Sequence, residues 1–303
     1  MFHWQEKAQS ELAGIRLSMN KPMAELTTFK IGGPIDLLVE PDNTEELERV
    51  LNFCLAFNIP WLLIGSGSNL LVRDGGIRGV GIKLGGEFAT WAINGVTVSA
   101  GAAVSLSKLA KEVAEQGLSG LEFACGIPGS VGGAVYMNAG AYQGEISQIV
   151  DKVQTVSAGK GAGWFDKNDL NLGYRFSRFQ AETNSVITRA EFSLEREAAD
   201  LTRAKVAELT CLRESKQPLE MPSAGSVFRR PEGYYVGPLI EAAGLKGYKI
   251  GGAQVSPKHA GFIVNIGGAT ARDVLALISH VQKVIKERNG VDLIPEIKVV
   301  GEE

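Results

Sequence analysis

The sequence predicts an α+β chain built in two parts, and three observations carry that prediction. Short apolar runs that read as strands alternate with a few helical stretches, without the regular β-α-β rhythm of a doubly wound sheet. A polar helical stretch over residues 200–216, stopped by Pro218, marks a change of composition and sets off a third group of elements behind it. The 303-residue chain also exceeds the length at which one hydrophobic core usually stops growing. The boundary is placed near residue 200, leaving 1–200 as one part with two substructures and 201–303 as the other.

Each element has its own local reason. Strands are expected over 35–40 and 61–65, separated by a helix whose Leu47, Val50, Leu51, Cys54 and Leu55 share one face behind the cap candidate Thr44. Residues 77–84 and 96–100 read as further strands. The helix after Ser105 buries Leu106, Leu109, Ala110 and Val113 and ends at Gly117. Strands return over 149–156 and 185–194. Beyond Pro218 come strands near 226–229 and 262–265 and a closing helix over 271–288. Thr270 and Asp273 stand in capping-box spacing at its start, Val274, Leu277, Ile278, Val281 and Ile285 form one face, and Asn289-Gly290 stops it. No repeat of fixed period is present, which argues against a solenoid.

Composition narrows the function classes. Hydrophobic residues make up 45% of the chain and charged residues 21%, enough for a sizeable core. A net charge of −3 gives no electrostatic case for nucleic acid as the main partner, so specific contacts must supply affinity for any phosphate. Cys54, Cys125 and Cys211 are odd in number and far apart, and read as small buried apolar side chains in a reducing compartment. His3, His259 and His280 have no metal-ligand spacing, so no metal is expected. The start, MFHWQEKAQSEL, lacks the plan of a secretory signal, and no run reaches the length of a membrane span. A cytoplasmic protein, most simply a monomer, is expected.

Two glycine-rich runs carry the functional signal. GIPGSVGGAVYMNAGAY, residues 126–142, holds five glycines and three alanines among seventeen residues and reads as one long turn-rich stretch. IGSGSNLLVRDGG, residues 64–76, follows an apolar strand. Glycine costs conformational entropy, so such density makes sense where main-chain N–H groups approach a ligand or turn at positive φ. A tight connection without a ligand is the competing reading for either run alone. Neither run is a standard nucleotide motif. Leu70 stands where the third glycine of a dinucleotide turn would be, with Leu70, Leu71 and Val72 reading as strand, and Ala134 and Val135 replace the Lys-Ser/Thr ending of a P-loop.

Six ordered motifs identify a family: LTTFKIGG (26–33), LIGSGSNLLV (63–72), the 126–142 run, GYRFSRF (173–179), PSAGSVFRRP (222–231) and PEIKVVGE (295–302). They resemble the FAD-binding domain of the PCMH, or vanillyl-alcohol-oxidase, type. Within it they resemble the UDP-N-acetylenolpyruvoylglucosamine reductase (MurB) family, in its shorter subclass, over almost the whole chain. The resemblance implies an FAD-binding domain over 1–200 and a substrate-binding domain over 201–303 whose last strand returns to the active site. It implies FAD held without a covalent bond, NADPH as reducing co-substrate, a UDP-sugar substrate, and a place in peptidoglycan precursor synthesis.

The resemblance also assigns residues. FAD falls to Ile64, Gly65, Ser66, Gly67, Ser68 and Asn69 in one run, and to Gly126, Ile127, Pro128, Gly129, Ser130, Gly132, Gly133 and Ala134 in the other. Ser226 matches the family's proton donor, and Glu296 and Arg175 match the groups that stabilise the enolate formed when hydride adds to the enolpyruvyl alkene. Tyr142, Tyr174, Lys216, Arg230, His259 and Lys298 match substrate-binding positions, with Arg230 and His259 standing where some relatives carry amides. Taken singly these residues have plainer readings: Ser226 a turn serine, Arg175 and the lysines solvated charges, Glu296 a solvent-facing strand residue. A flavin oxidase of the same fold and a catalytically silent nucleotide-sugar binder are the other classes. The PSAGSVFRRP and PEIKVV pair argues against the first, and the catalytic triplet against the second.

Overall fold

In a computed structural model, residues 3–182 and 184–303 are described, His3 by its backbone alone. The chain forms two compact units. The first takes the described residues up to Met19, with Leu37–Ser66 and Gly79–Arg213; the second takes Asn20–Asp36, Gly67–Arg78 and Glu214–Glu303.

The first unit is centred on an antiparallel five-stranded sheet. Its order is Gly161–Asp166, Val150–Ser157, Ser185–Ser193, Thr97–Gly101 and Trp91–Asn94. The helix Leu106–Glu115 forms as its pattern demands. Ser105 accepts from the Lys108 N–H at 3.4 Å, Leu106, Leu109, Ala110 and Val113 are buried, and Gly117 lies just past the end at φ 67°. A second core gathers under the helix Thr44–Ala56, where Leu47, Val50, Leu51, Phe53 and Cys54 are buried against Leu37, Val80 and Ile82.

Four local expectations for this unit need correction. The cap of Thr44–Ala56 is Asn43, whose extended backbone lets its side chain accept from the Glu46 N–H at 2.9 Å, while Thr44 spends its own N–H and hydroxyl on Glu87. Leu55 is 65% exposed, because the buried face turns toward Phe53 in the last turn. The run 126–142 is not turns throughout. It contains the helix Val131–Met137, capped by Ser130 and closed by Asn138 in the left-handed conformation. Of the cysteines, Cys54 and Cys125 are buried as expected, and burial pushes the Cys54 thiol up to about 12. Cys211 is exposed, since the helix Ala199–Lys216 buries only Thr202 and Leu209.

The second unit carries an antiparallel four-stranded sheet in the order Ser223–Ser226, Phe262–Asn265, Ala253–Val255, Lys249–Ile250. Its first strand begins three residues earlier than the sequence suggested. The helix Ala271–Asn289 buries Val274, Leu277, Ile278, Val281 and Ile285 and ends on Gly290 at φ 69°. The Thr270–Asp273 capping box is present, and the Asp74 carboxylate accepts from the Ala271 and Arg272 N–H groups at 2.8 and 3.1 Å. Together they satisfy donors that a helix start leaves unpaired.

Candidate functional site

The glycines of the two runs differ one by one in what they face: in the 126–142 run a Cβ on Gly126, Gly132 or Gly140 would overlap Arg213, Ala102 or the Gly144 carbonyl. In the second unit, Gly67 and Gly76 lie at positive φ, and a Cβ on either would overlap the backbone carbonyl of Leu26 or Pro34. Gly75 donates to Glu302 O at 3.0 Å, and Glu302 donates to Gly76 O at 2.9 Å. Chain, not ligand, fills those places. In the first unit a Cβ on Gly133 would meet only the Ser130 hydroxyl, at 3.4 Å. Gly65 lies against the same hydroxyl, so the two runs approach each other at Ser130.

Backbone donors remain at both runs. Among the described residues, the N–H groups of Gly65, Ser66, Gly67, Ser68, Gly126, Gly129 and Ser130 make no hydrogen bond to protein. Ile64 by contrast donates to Ile82 O, Ile127 to Ala124 O, and Gly132 to Ala102 O. Such free N–H groups on small residues suit a phosphate-bearing cofactor. Pro128 has no N–H to offer and is exposed; Ala134 is buried, and its N–H closes the helix turn onto Ser130 O.

A residue that sequence reasoning missed stands beside Gly126. A Cβ there would overlap the Arg213 side chain, and the Arg213 Nε is buried with no hydrogen-bond partner among the described residues. Burial lowers the Arg213 pKa below the ordinary arginine value, opposed by Tyr142 and Cys125. Burial raises the Tyr142 phenol, opposed by Arg213. A half-buried cation with an open, buried Nε at the edge of a glycine run is the chemistry an anionic group would complete. In the sequence it looked like any solvated arginine of a polar helix. Cys125 points elsewhere: its sulfur lies 3.7 Å from Val206 O and 3.6 Å from the Thr210 hydroxyl.

Arg175 sits at the tip of a tight turn in the first unit. Gly173 and Phe176 exchange N–H···O bonds of 3.0 and 3.1 Å, leaving Tyr174 and Arg175 between them, and Arg175 has φ 54°. Its guanidinium donates to Gly140 O at 3.1 Å and lies 5.1 Å from the Tyr174 ring centre, with that ring 53% exposed. Tyr142, in the 126–142 run, also has positive φ, as does Gln143.

Ser226 and Glu296 are brought together in the second unit. Between Ser223 and Ser226 the strand carries one residue more than its partner, and Gly225, at φ 78°, makes the bulge that re-aims Ser226. A Cβ on Gly225 would touch nothing within 4 Å, so backbone conformation alone explains this glycine. The Glu296 N–H donates to Val227 O at 2.7 Å, Arg229 donates to Ile294 O at 2.8 Å, and the Asn69 amide donates to Glu296 O at 3.3 Å. Lys298 begins the short strand Lys298–Val300, parallel to Leu70–Val72, and is exposed.

The other substrate candidates in this unit are more scattered. His259 and Ser226 flank one point: a Cβ on Gly261 would lie 3.0 Å from the imidazole Cε1 and 3.7 Å from the Ser226 hydroxyl. The His259 Nδ1 accepts from the Gly261 N–H at 3.1 Å, and burial lowers the imidazole pKa, so the neutral ring carries its proton on Nε2. Arg230 donates to Tyr234 O at 3.2 Å and lies 3.9 Å from the centre of the Tyr235 ring. Lys216 is exposed at the end of its helix.

Among the described residues no helix is long and apolar enough to cross a membrane. Residues 35–162 match the family described as FAD binding domain, and residues 217–300 match UDP-N-acetylenolpyruvoylglucosamine reductase, C-terminal domain. The UDP-N-acetylenolpyruvoylglucosamine reductase of Syntrophomonas wolfei is 49% identical over 288 residues, covering 95% of this chain and 96% of the relative. That of Listeria monocytogenes is 46% identical over 295 residues, covering 97% and 98%. The crystal structure of the Thermus caldophilus reductase (MurB) superposes with a TM-score of 0.81 at 35% identity, covering 94% of this chain and 98% of that one. With an FAD-binding domain, a matching C-terminal domain and relatives aligned almost end to end, the chain belongs to the UDP-N-acetylenolpyruvoylglucosamine reductase family of oxidoreductases.

Proposed function

We propose that this protein reduces the enolpyruvyl group of UDP-N-acetylenolpyruvoylglucosamine to the lactyl ether of UDP-N-acetylmuramate, in peptidoglycan precursor synthesis, with NADPH as reductant. The observation that carries the reading is the Glu296 N–H to Val227 O hydrogen bond at 2.7 Å, which joins the PEIKVV and AGSVF segments in one unit. FAD, when bound, supplies the hydride that it has drawn from NADPH. The unbonded N–H groups of Gly65–Ser68, Gly126, Gly129 and Ser130, with the open Nε of Arg213, support its binding. Cys125 faces Val206 and Thr210, which favours a cofactor held without a covalent bond.

Hydride addition at one alkene carbon leaves carbanion character on its neighbour, delocalised into the adjoining carboxylate. Ser226 gives its hydroxyl proton to that carbon; the bulge at Gly225 sets the direction of the hydroxyl. Arg175 supplies a fixed positive charge to the carboxylate as its negative charge grows, and Glu296 a carboxyl group for the same enolate. Tyr142, Tyr174, Lys216, Arg230, His259 and Lys298 bind the nucleotide-sugar. In this division residues 1–200 supply most of the cofactor's contacts and 201–303 most of the substrate's, and the enzyme works as a cytoplasmic monomer.

An anaerobic titration tests the reading. The yellow holoenzyme should bleach on adding NADPH and recover its colour on adding the UDP-enolpyruvyl sugar. A colourless protein that takes up no FAD rejects it in favour of a silent binder. Recovery with oxygen but not with the sugar rejects it in favour of an oxidase.

A further inference from the structure

Strained backbone is concentrated around Arg175. Eight described residues other than glycine have positive φ, and four of them, Asn138, Tyr142, Gln143 and Arg175, belong to the end of the helix Val131–Met137, the turn after it, and the Arg175 turn. A residue other than glycine is strained in this region and persists there only where its surroundings hold it. Asparagine tolerates the conformation; arginine does not do so readily. Something must therefore over-determine the Arg175 backbone.

Three polar side chains do so. The Gln180 amide donates to Arg175 O at 3.0 Å and to Tyr136 O at 2.9 Å, so its two hydrogens tie the strained residue to the helix end. Ser177, fully buried, donates to the same Tyr136 O at 2.7 Å. Asn138, also fully buried, donates to Gly173 O at 2.9 Å and accepts from the Ser147 N–H at 2.8 Å. Tyr136 O is one of the carbonyls a helix end leaves without an intrahelical donor, so the Arg175 segment caps the helix that begins in the glycine run at Ser130. The guanidinium then reaches Gly140 O, in the hairpin that follows Asn138.

We propose that Gln180 and Asn138 are positioning residues for Arg175, holding its turn against the end of the glycine-run helix so that the guanidinium stands ready for the substrate carboxylate. The inference rests on the role given to Arg175 above. A hydrophobic side chain in place of Gln180 would leave the Arg175 and Tyr136 carbonyls without that donor and let the strained turn relax, moving a charge whose effect depends on ångström-scale placement.

The test is anaerobic stopped-flow on the FAD-loaded enzyme, with Gln180→Met, Gln180→Glu, Arg175→Met and the Gln180→Met/Arg175→Met double variant. Reoxidation by the UDP-enolpyruvyl sugar should slow roughly 10- to 100-fold in Gln180→Met, with bleaching by NADPH unaffected. The double variant should be no slower than Arg175→Met, because a residue acting only through Arg175 has nothing left to position. In Gln180→Glu, reoxidation relative to wild type should recover toward acid pH, where a protonated carboxyl again donates to Arg175 O. Unchanged reoxidation in Arg175→Met would sink the role of Arg175 and this inference with it. Slow reoxidation in Arg175→Met, beside normal rates for the Gln180 variants or additive slowing in the double variant, would sink the positioning role alone. Should Gln180→Met fail to hold FAD, a pH-independent ratio for the near-isosteric Gln180→Glu would overturn it.

Discussion

The two regions that carry the candidate catalytic groups hold them by different means. Around Arg175, side-chain amides and a hydroxyl grip a turn at φ 54°, and Gly133, in the helix that this turn caps, would set a Cβ against the Ser130 hydroxyl alone. Around Ser226 and Glu296 the grip is mostly main chain to main chain, with the Asn69 amide added on Glu296 O, and Gly67 and Gly76 leave no space because carbonyls of the same unit occupy it. Side-chain clamps can be loosened one donor at a time. Main-chain closures fail only when backbone is forced apart, so substitutions should divide between those that change rate and those that change stability.

The largest effect is expected at Ser226. Ser226→Ala removes a proton donor and leaves its bulge intact, so reoxidation by the enolpyruvyl sugar should fall by about two to four powers of ten while reduction by NADPH holds its rate. Equal slowing of the two half-reactions in rapid mixing would take Ser226 out of that role. Next comes the contrast between glycines. Gly67→Ala should destabilise the protein by roughly 3 kcal/mol, from an unfavourable φ together with overlap on Leu26 O. Gly133→Ala, inside a helix, should leave the thermal midpoint of the FAD-free protein unchanged or higher and weaken FAD binding. If Gly133→Ala binds FAD as tightly as wild type, the open glycine does not serve the cofactor.

Arg175→Lys and Glu296→Gln compare the two grips directly. Each should lower kcat by about 10- to 100-fold with little change in KM, since lysine keeps charge and loses the planar fork, and glutamine keeps shape and loses the acid. A rise in KM alone would mark either residue as a binding group. The smallest effect concerns His259. Its folded-state pKa lies below the usual 6.5 because of burial, so as pH falls through that value the unfolded chain takes up the proton first. Stability from the neutral imidazole is therefore present above the unfolded pKa, falls as pH drops below it, and levels off under the folded pKa. A His259→Asn variant should lack this component, visible as a flatter thermal midpoint between neutral and mildly acid pH. Parallel profiles would show that the ring is not held neutral by burial.

Much of the fold was legible because its causes are local. The Thr270–Asp273 box, the Ser105 cap, the Gly117 and Gly290 stops and the buried stripe of Ala271–Asn289 all involve residues within a few positions of one another. Asn43 was missed in favour of Thr44 because both are good caps by type; the choice fell to Glu87, which occupies the Thr44 hydroxyl and N–H. The strand at Ser226 was placed late because the bulge at Gly225 hides its alternation. Cys211 looked buried by residue type, but its helix offers little apolar surface to neighbours.

By itself, the sequence determined the α+β class, the ends of the helices Leu106–Glu115 and Ala271–Asn289, and the family carried by six motifs. Each depends on residue type and near-neighbour spacing, which a chain displays before it folds. Only the tertiary structure decided why individual glycines are there, that Gly67 and Gly76 are closed in by carbonyls while Gly133 meets only a hydroxyl, that Arg213 turns a buried Nε toward Gly126, and that Gln180 and Asn138 grip the Arg175 turn. Those facts depend on close approach and hydrogen bonding between segments far apart in the chain, where a difference of one ångström separates a clash from a contact and no local pattern records it.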